Sequence, residues 1–141
     1  MTLDSSPASV GGPGATPRQS VLIVDDSATD LLYLTRLLER PDRHILTAKS
    51  GEEAITLYKR YLNIGRPYDA VIMDISVIGG MGAEETFQAL RKLDADVRAI
   101  ISSGYDNDDI ARRFLDSGFC GHLTKPYRVT DLGKLLKTVL G

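Results

Sequence analysis

Tryptophan is absent from the 141 residues, and cysteine occurs once. No apolar run approaches the roughly 18 residues that a membrane span needs. The single cysteine, Cys120, excludes an internal disulfide and fits a reducing compartment. Neither charge sign is in excess: 17 basic and 19 acidic residues leave a net charge of −2, so no broad basic surface for nucleic acid is expected. Only His44 and His122 carry imidazoles, and neither has Cys or His partners at the spacing of a zinc site. The first residues lack the basic start and apolar core of a secretory signal, so the expected setting is cytoplasmic, with no membrane partner. What is present is a globular composition, 43% hydrophobic and 26% charged, of a length that suits one domain.

Residues 1–19 differ from the remainder. Pro7, Pro13 and Pro17, with Gly11, Gly12 and Gly14, leave too little apolar surface to offset the entropy of ordering. They are read as a flexible tail or linker, and residues 20–141 as the folded domain. Within it, short apolar runs fall at 21–24, 44–48, 70–73, 97–101 and 121–123. Amphipathic stretches separate them: Leu31, Leu34, Leu37 and Leu38 follow Ser27 at helical spacing, and Leu132, Leu135, Leu136 and Val139 follow Thr130, read as an N-cap. Gly65-Arg66-Pro67 and Asp116-Ser117-Gly118 are stop signals. Cys120 reads as a small buried hydrophobe. Five strands alternating with five helices predict an α/β fold, a doubly wound parallel sheet in a single domain. Ligands of such sheets sit beyond the carboxyl ends of the strands.

The strand ends carry chemistry. The first run ends in Asp25-Asp26, the third in Asp74, the fourth in Ser102-Ser103-Gly104, and the fifth in Thr124-Lys125-Pro126. Gathered on one edge, three carboxylates repel, and a hard divalent cation relieves them. Carboxylates can be nucleophiles toward phosphorus, and phosphoryl transfer asks chiefly for positioning and charge neutralisation. The residue types suit an aspartate that accepts a phosphoryl group. Each motif alone has a plainer reading, as a helix start or a turn; their joint occurrence in register with the strands sets those readings aside.

The sequence resembles a response-regulator receiver domain of two-component signalling. The resemblance rests on Val21-Leu22-Ile23-Val24-Asp25-Asp26-Ser27, Ala70-Val71-Ile72-Met73-Asp74, Ile100-Ile101-Ser102-Ser103-Gly104 and Lys125-Pro126. It spans residues 20–141. Among receivers, the Ser-Ser-Gly-Tyr and Gly-Gly-Met-Gly wording is most like those associated with hybrid sensor kinases.

The resemblance implies a flavodoxin-like five-stranded sheet in the order 2-1-3-4-5. It implies Asp74 as phosphoacceptor, with Asp26, Asp74 and the backbone carbonyl of Ser76 as direct Mg²⁺ ligands and Asp25 supporting the ion through water. Lys125 would pair with Asp74 and then with phosphoryl oxygens, and Pro126 would follow a cis peptide bond. Ser103, with Ser102 as rival, would be the switch hydroxyl, and Gly104 the small residue beside it. The partner would be a sensor histidine kinase or a histidine phosphotransfer domain, with a phosphorylation-dependent homodimer as an option. The chain would be a phosphoacceptor with self-phosphotransfer and slow autodephosphorylation, not an enzyme in the usual sense.

Two departures stand out. Ile78 replaces a customary proline four residues after Asp74, followed by Gly79, Gly80 and Gly82. His122 occupies the usual aromatic switch position; it is read as packed near the surface, with a pH-sensitive response as the analogy-based option. Other classes fit less well. A flavodoxin-like nucleotide binder would need a phosphate loop where Asp25-Asp26 stand. A haloacid-dehalogenase-type hydrolase would need an aspartate where Ser76 stands. The second-ranked reading is an unphosphorylated receiver-like module acting by protein contact. Stand-alone receiver and segment of a hybrid kinase, with residues 1–19 as linker, are both open.

Overall fold

The computed structural model describes residues 19–75, 82–104 and 108–140. Five strands alternate with five helices: β1 (Gln19–Val24), α1 (Ala28–Leu38), β2 (Arg43–Ala48), α2 (Gly51–Asn63), β3 (Ala70–Asp74), α3 (Ala83–Leu93), β4 (Ala99–Ser103), α4 (Asp108–Asp116), β5 (Gly121–Thr124) and α5 (Val129–Leu140). All strand pairs are parallel, in the order β2-β1-β3-β4-β5. The expected tail lies outside the described residues except for Gln19, which opens β1. Ser76 and Ile78 through Gly80 also lie outside them.

The two sheet faces feed separate cores. Leu22, Val24, Val71, Met73, Ala99 and Ile101 pack with Ala54, Tyr58, Phe87 and Leu90 of α2 and α3. Alternate residues, Val21, Ile23, Ile72 and Ile100, pack with Leu31, Leu34 and Leu38 of α1 and Leu132, Leu136 and Val139 of α5. The period-2 alternation of a strand sends successive residues to opposite layers, and both layers are covered. This explains why β3 and β4 are buried at every position. Each large apolar side chain so buried stabilises the fold by about 1.5–3 kcal/mol. Tyr58 is fully buried, and its hydroxyl donates to Asp94 Oδ2 at 2.7 Å, so the polar tip is satisfied.

Local expectations are corrected at three places. Thr130 does not cap α5, because the helix opens at Val129; the backbone N–H of Arg128 donates instead to the Asp131 carboxylate at 3.3 Å. Cys120 is exposed, not buried: its N–H joins Ala99 O at 2.7 Å just before β5, and neighbouring Phe119 takes the buried position against Phe87. The fourth apolar run is shifted. Val97 belongs to a turn closed by its N–H to Asp94 O, and the strand runs on through Ser102 and Ser103.

Gly118 closes α4 with φ +117°, a backbone region that side chains disfavour. A Cβ there would lie 2.8 Å from Arg91 Nη1 and 3.2 Å from the Phe87 ring. Gly118→Ala is therefore expected to destabilise the fold by about 1–3 kcal/mol. A lowered urea midpoint at unchanged slope checks it; an unchanged midpoint would show that the turn can relax.

Candidate functional site

The order β2-β1-β3 places the point where strand connections reverse direction between β1 and β3. Crevices form at the carboxyl ends of the two strands flanking such a point. Asp25 follows β1 directly, and its N–H is held by Ala48 O at the end of β2. Asp74 is the last residue of β3, paired in register with Ser102 of β4. Lys125 follows β5, with its N–H donating to Ser103 O at 2.7 Å. The Lys125-Pro126 bond is cis.

These strand ends converge. Lys125 Nζ lies 3.3 Å from Asp25 Oδ2, 3.3 Å from Asp74 Oδ2 and 2.9 Å from Asp30 Oδ2. One carboxylate oxygen each from Asp25, Asp30 and Asp74 lies within 4.8 Å of the others. Asp25 and Asp74 are buried, whereas Asp30 is part-exposed. Asp25 Oδ1 also accepts the Ser27 N–H at 2.9 Å, which fixes the loop entering α1.

Three carboxylates share one ammonium, and the electrostatics reflect it. Burial, reinforced by the charge of Asp74, pushes the Asp25 carboxyl up to about 6. For Lys125, burial works against the charged form. The Asp30 hydrogen bond and the charges of Asp74 and Asp25 outweigh it and hold the ammonium above its ordinary range. The crevice is thus short of positive charge and rich in hard oxygen donors, a set that suits Mg²⁺.

Ser103 Oγ and His122 Nε2 lie 3.0 Å apart, a hydrogen bond whose direction the imidazole tautomer sets. Ser102 Oγ is buried and has no hydrogen-bond partner among the described residues. Gly104 is exposed, and a Cβ there would meet open space.

Residues 21–137 match the response regulator receiver domain family. The chain is a member of that family. This receiver is 34% identical over 124 residues to protein PilH of Pseudomonas aeruginosa, covering 84% of this chain and 93% of that one. It is 28% identical to the chemotaxis protein CheY of Halobacterium salinarum, covering 86% and 97% of the two chains. Against sensor kinase CckA of Brucella abortus it is 29% identical and covers only 12% of that longer protein. Among solved structures, the Borrelia burgdorferi CheX-CheY-BeF3-Mg complex superposes with a TM-score of 0.78 at 26% identity, over 87% of this chain and 90% of that one.

Of the residues read from the receiver's sequence, Asp25, Asp74 and Lys125 stand together. Asp26 does not join the trio: its side chain is exposed, and the third carboxylate is Asp30. Asp30 is not among the site residues read from the sequence. The signal available was its place in the first turn of the helix that follows β1, where side chains tilt back toward the helix N-terminus and so toward the strand ends.

Proposed function

We propose that this receiver takes a phosphoryl group from a partner's phosphohistidine onto Asp74. A bond forms between a carboxylate oxygen of Asp74 and phosphorus as the donor's P–N bond breaks. The bonding pair stays with the imidazole nitrogen. A bound Mg²⁺ would supply charge neutralisation at the phosphoryl oxygens. Asp26, Asp74 and the carbonyl of Ser76 would hold it directly, with Asp25 supporting it through water. Since Asp26 is exposed and outside the Asp25–Asp30–Asp74 cluster, its side chain would have to turn toward Asp74 as the ion binds. Lys125 then donates to a phosphoryl oxygen. The observation that carries the reading is the placement of Lys125 Nζ 3.3 Å from both Asp25 and Asp74 at the strand-order reversal. The BeF3 and Mg named in the Borrelia CheX-CheY complex support the same chemistry here.

The donor class is a sensor histidine kinase or a histidine phosphotransfer domain, acting in the cytoplasm. The phosphorylated chain is read out by a protein partner, with a homodimer among the options. Some self-hydrolysis of the acyl phosphate accompanies the cycle. The test is incubation with acetyl phosphate and Mg²⁺ followed by intact mass measurement: one added phosphoryl group is expected, and no adduct at any donor concentration would defeat the reading.

Phosphorylation puts an acyl phosphate with close to two negative charges where the Asp74 carboxylate carried one. Ser103 Oγ then turns toward a phosphoryl oxygen and releases His122, which moves the edge formed by β4 and β5. Such coupling is typically about 1–3 kcal/mol. In Ser103→Ala, labelling persists but the phosphorylation-induced amide shifts along β5 shrink several-fold, whereas Ser102→Ala changes them little. Two-dimensional NMR with and without phosphodonor checks this, and a dominant effect of Ser102 would reverse the assignment.

A further inference from the structure

Two helices open on the same Ser-x-x-acid pattern, yet the acids go to different places. In α2, Ser50 Oγ accepts the Glu53 N–H at 3.1 Å, and Glu53 Oε1 turns back to accept the Lys49 N–H at 2.7 Å. That is a local use of such an acid, close to a capping box but taking the N–H one residue before the N-cap. In α1, Ser27 Oγ accepts the Asp30 N–H at 3.2 Å, but the Ser27 N–H donates to Asp25 Oδ1. The Asp30 carboxylate reaches instead across the fold, to a lysine 95 residues further along the chain.

An ammonium has three donors. Lys125 places its three on Asp25, Asp30 and Asp74, and the Asp30 contact, at 2.9 Å, is the shortest. The other two are the contacts that the chemistry draws on. Phosphorylation converts the Asp74 carboxylate into an acyl phosphate, and a dication competes for the oxygens of Asp25 and Asp74. The acceptor reading gives Asp30 no part in either change, although its carboxylate lies within 4.8 Å of the other two. Its side chain is 39% exposed, against 2% for Asp25 and 7% for Asp74, so its charge is held at lower desolvation cost.

We propose that Asp30 is a positioning residue that keeps Lys125 over the acceptor while the lysine's contacts with Asp25 and Asp74 are given up. The proposal rests on Asp74 as the acceptor. Asp30 thereby sets how fast phosphorus is accepted without touching it. The upward push that the Asp30 hydrogen bond gives the Lys125 ammonium is in keeping with this role.

The test compares wild type, Asp30→Asn and Asp30→Glu across a Mg²⁺ titration that runs from the wild-type midpoint to well beyond it. In lysine ¹⁵N spectra, the Lys125 ammonium should give a slowly exchanging signal in wild type, lose it in Asp30→Asn and keep it in Asp30→Glu. With acetyl phosphate, Asp30→Asn should be labelled about fivefold more slowly, the scale of one charge-assisted hydrogen bond at a part-exposed site. Asp30→Glu should recover most of the rate. Asp30→Asn should cost nothing further in a Lys125→Ala background. An ammonium signal missing in wild type or unaltered in Asp30→Asn would overturn the proposal. So would a rate that additional Mg²⁺ restores fully, since Asp30 would then be a metal ligand. Wild type left unlabelled at Asp74 would remove the acceptor reading instead, and the ammonium signal alone would then decide the role of Asp30.

Discussion

Asp74→Asn should carry no label after incubation with acetyl phosphate and Mg²⁺, under conditions that label wild type fully. The amide keeps the shape of the carboxylate and can still accept from Lys125, so the crevice stays intact while its nucleophile is gone. The neighbouring carboxylates do not substitute. Asp25 is buried and already accepts from Ser27 N–H and Lys125, and Asp30 is turned to Lys125. Asp26 is exposed and outside the trio. Intact mass decides the matter, and peptide mapping locates any residual adduct. Label persisting on Asp25, Asp26 or Asp30 would move the acceptor and dissolve the role given to Lys125.

The second large effect concerns stability without metal. With its carboxyl pushed from 3.8 up to about 6 by burial and by Asp74, Asp25 is ionised at neutral pH against the preference of its surroundings. At 1.36 kcal/mol per pH unit, that preference amounts to about 3 kcal/mol in order of magnitude. The native state holds this proton more tightly than the unfolded chain. Its contribution is therefore fully present below pH 3.8 and is lost as pH rises through about 6. Asp25→Asn removes the ionisation while keeping an acceptor for the Ser27 N–H. The variant should gain about 1–3 kcal/mol over wild type at pH 8 and little or nothing at pH 4. Urea unfolding of the two metal-free proteins across that range measures the difference. A variant less stable than wild type at pH 8 would show that the Lys125 pairing outweighs the burial of the charge. Mg²⁺ should narrow the gap, because an ion bound only by the native state stabilises wild type by mass action.

The strand–helix alternation made the layer architecture and the sheet legible from the sequence, because buried parallel strands are short apolar runs and their covering helices show a 3.6-residue period. Asp74 and Lys125 were legible because they end such runs. Boundaries were less so. Val97 is apolar and buried, yet it belongs to the turn before β4, while the polar Ser102 and Ser103 complete the strand, since backbone pairing with β3 and β5 does not depend on side-chain polarity. The cap of α5 was misplaced because the helix starts two residues earlier than a Thr130 cap requires, with Arg128 before it and the first-turn acid Asp131 accepting the Arg128 N–H. Asp30 was hidden for a different reason. Its partner is 95 residues away, and an acid in the first turn of a helix has a sufficient local explanation in the helix dipole.

The exposure of Cys120 has a practical outcome. It is the sole thiol of the chain and sits immediately ahead of β5, the edge strand that bears His122 and leads into Lys125. A maleimide fluorophore or a nitroxide can therefore be attached at one defined spot without engineering cysteines in or out. Such a reporter would follow the β5 border in real time as phosphodonor is added, and the native sequence already supplies its attachment point.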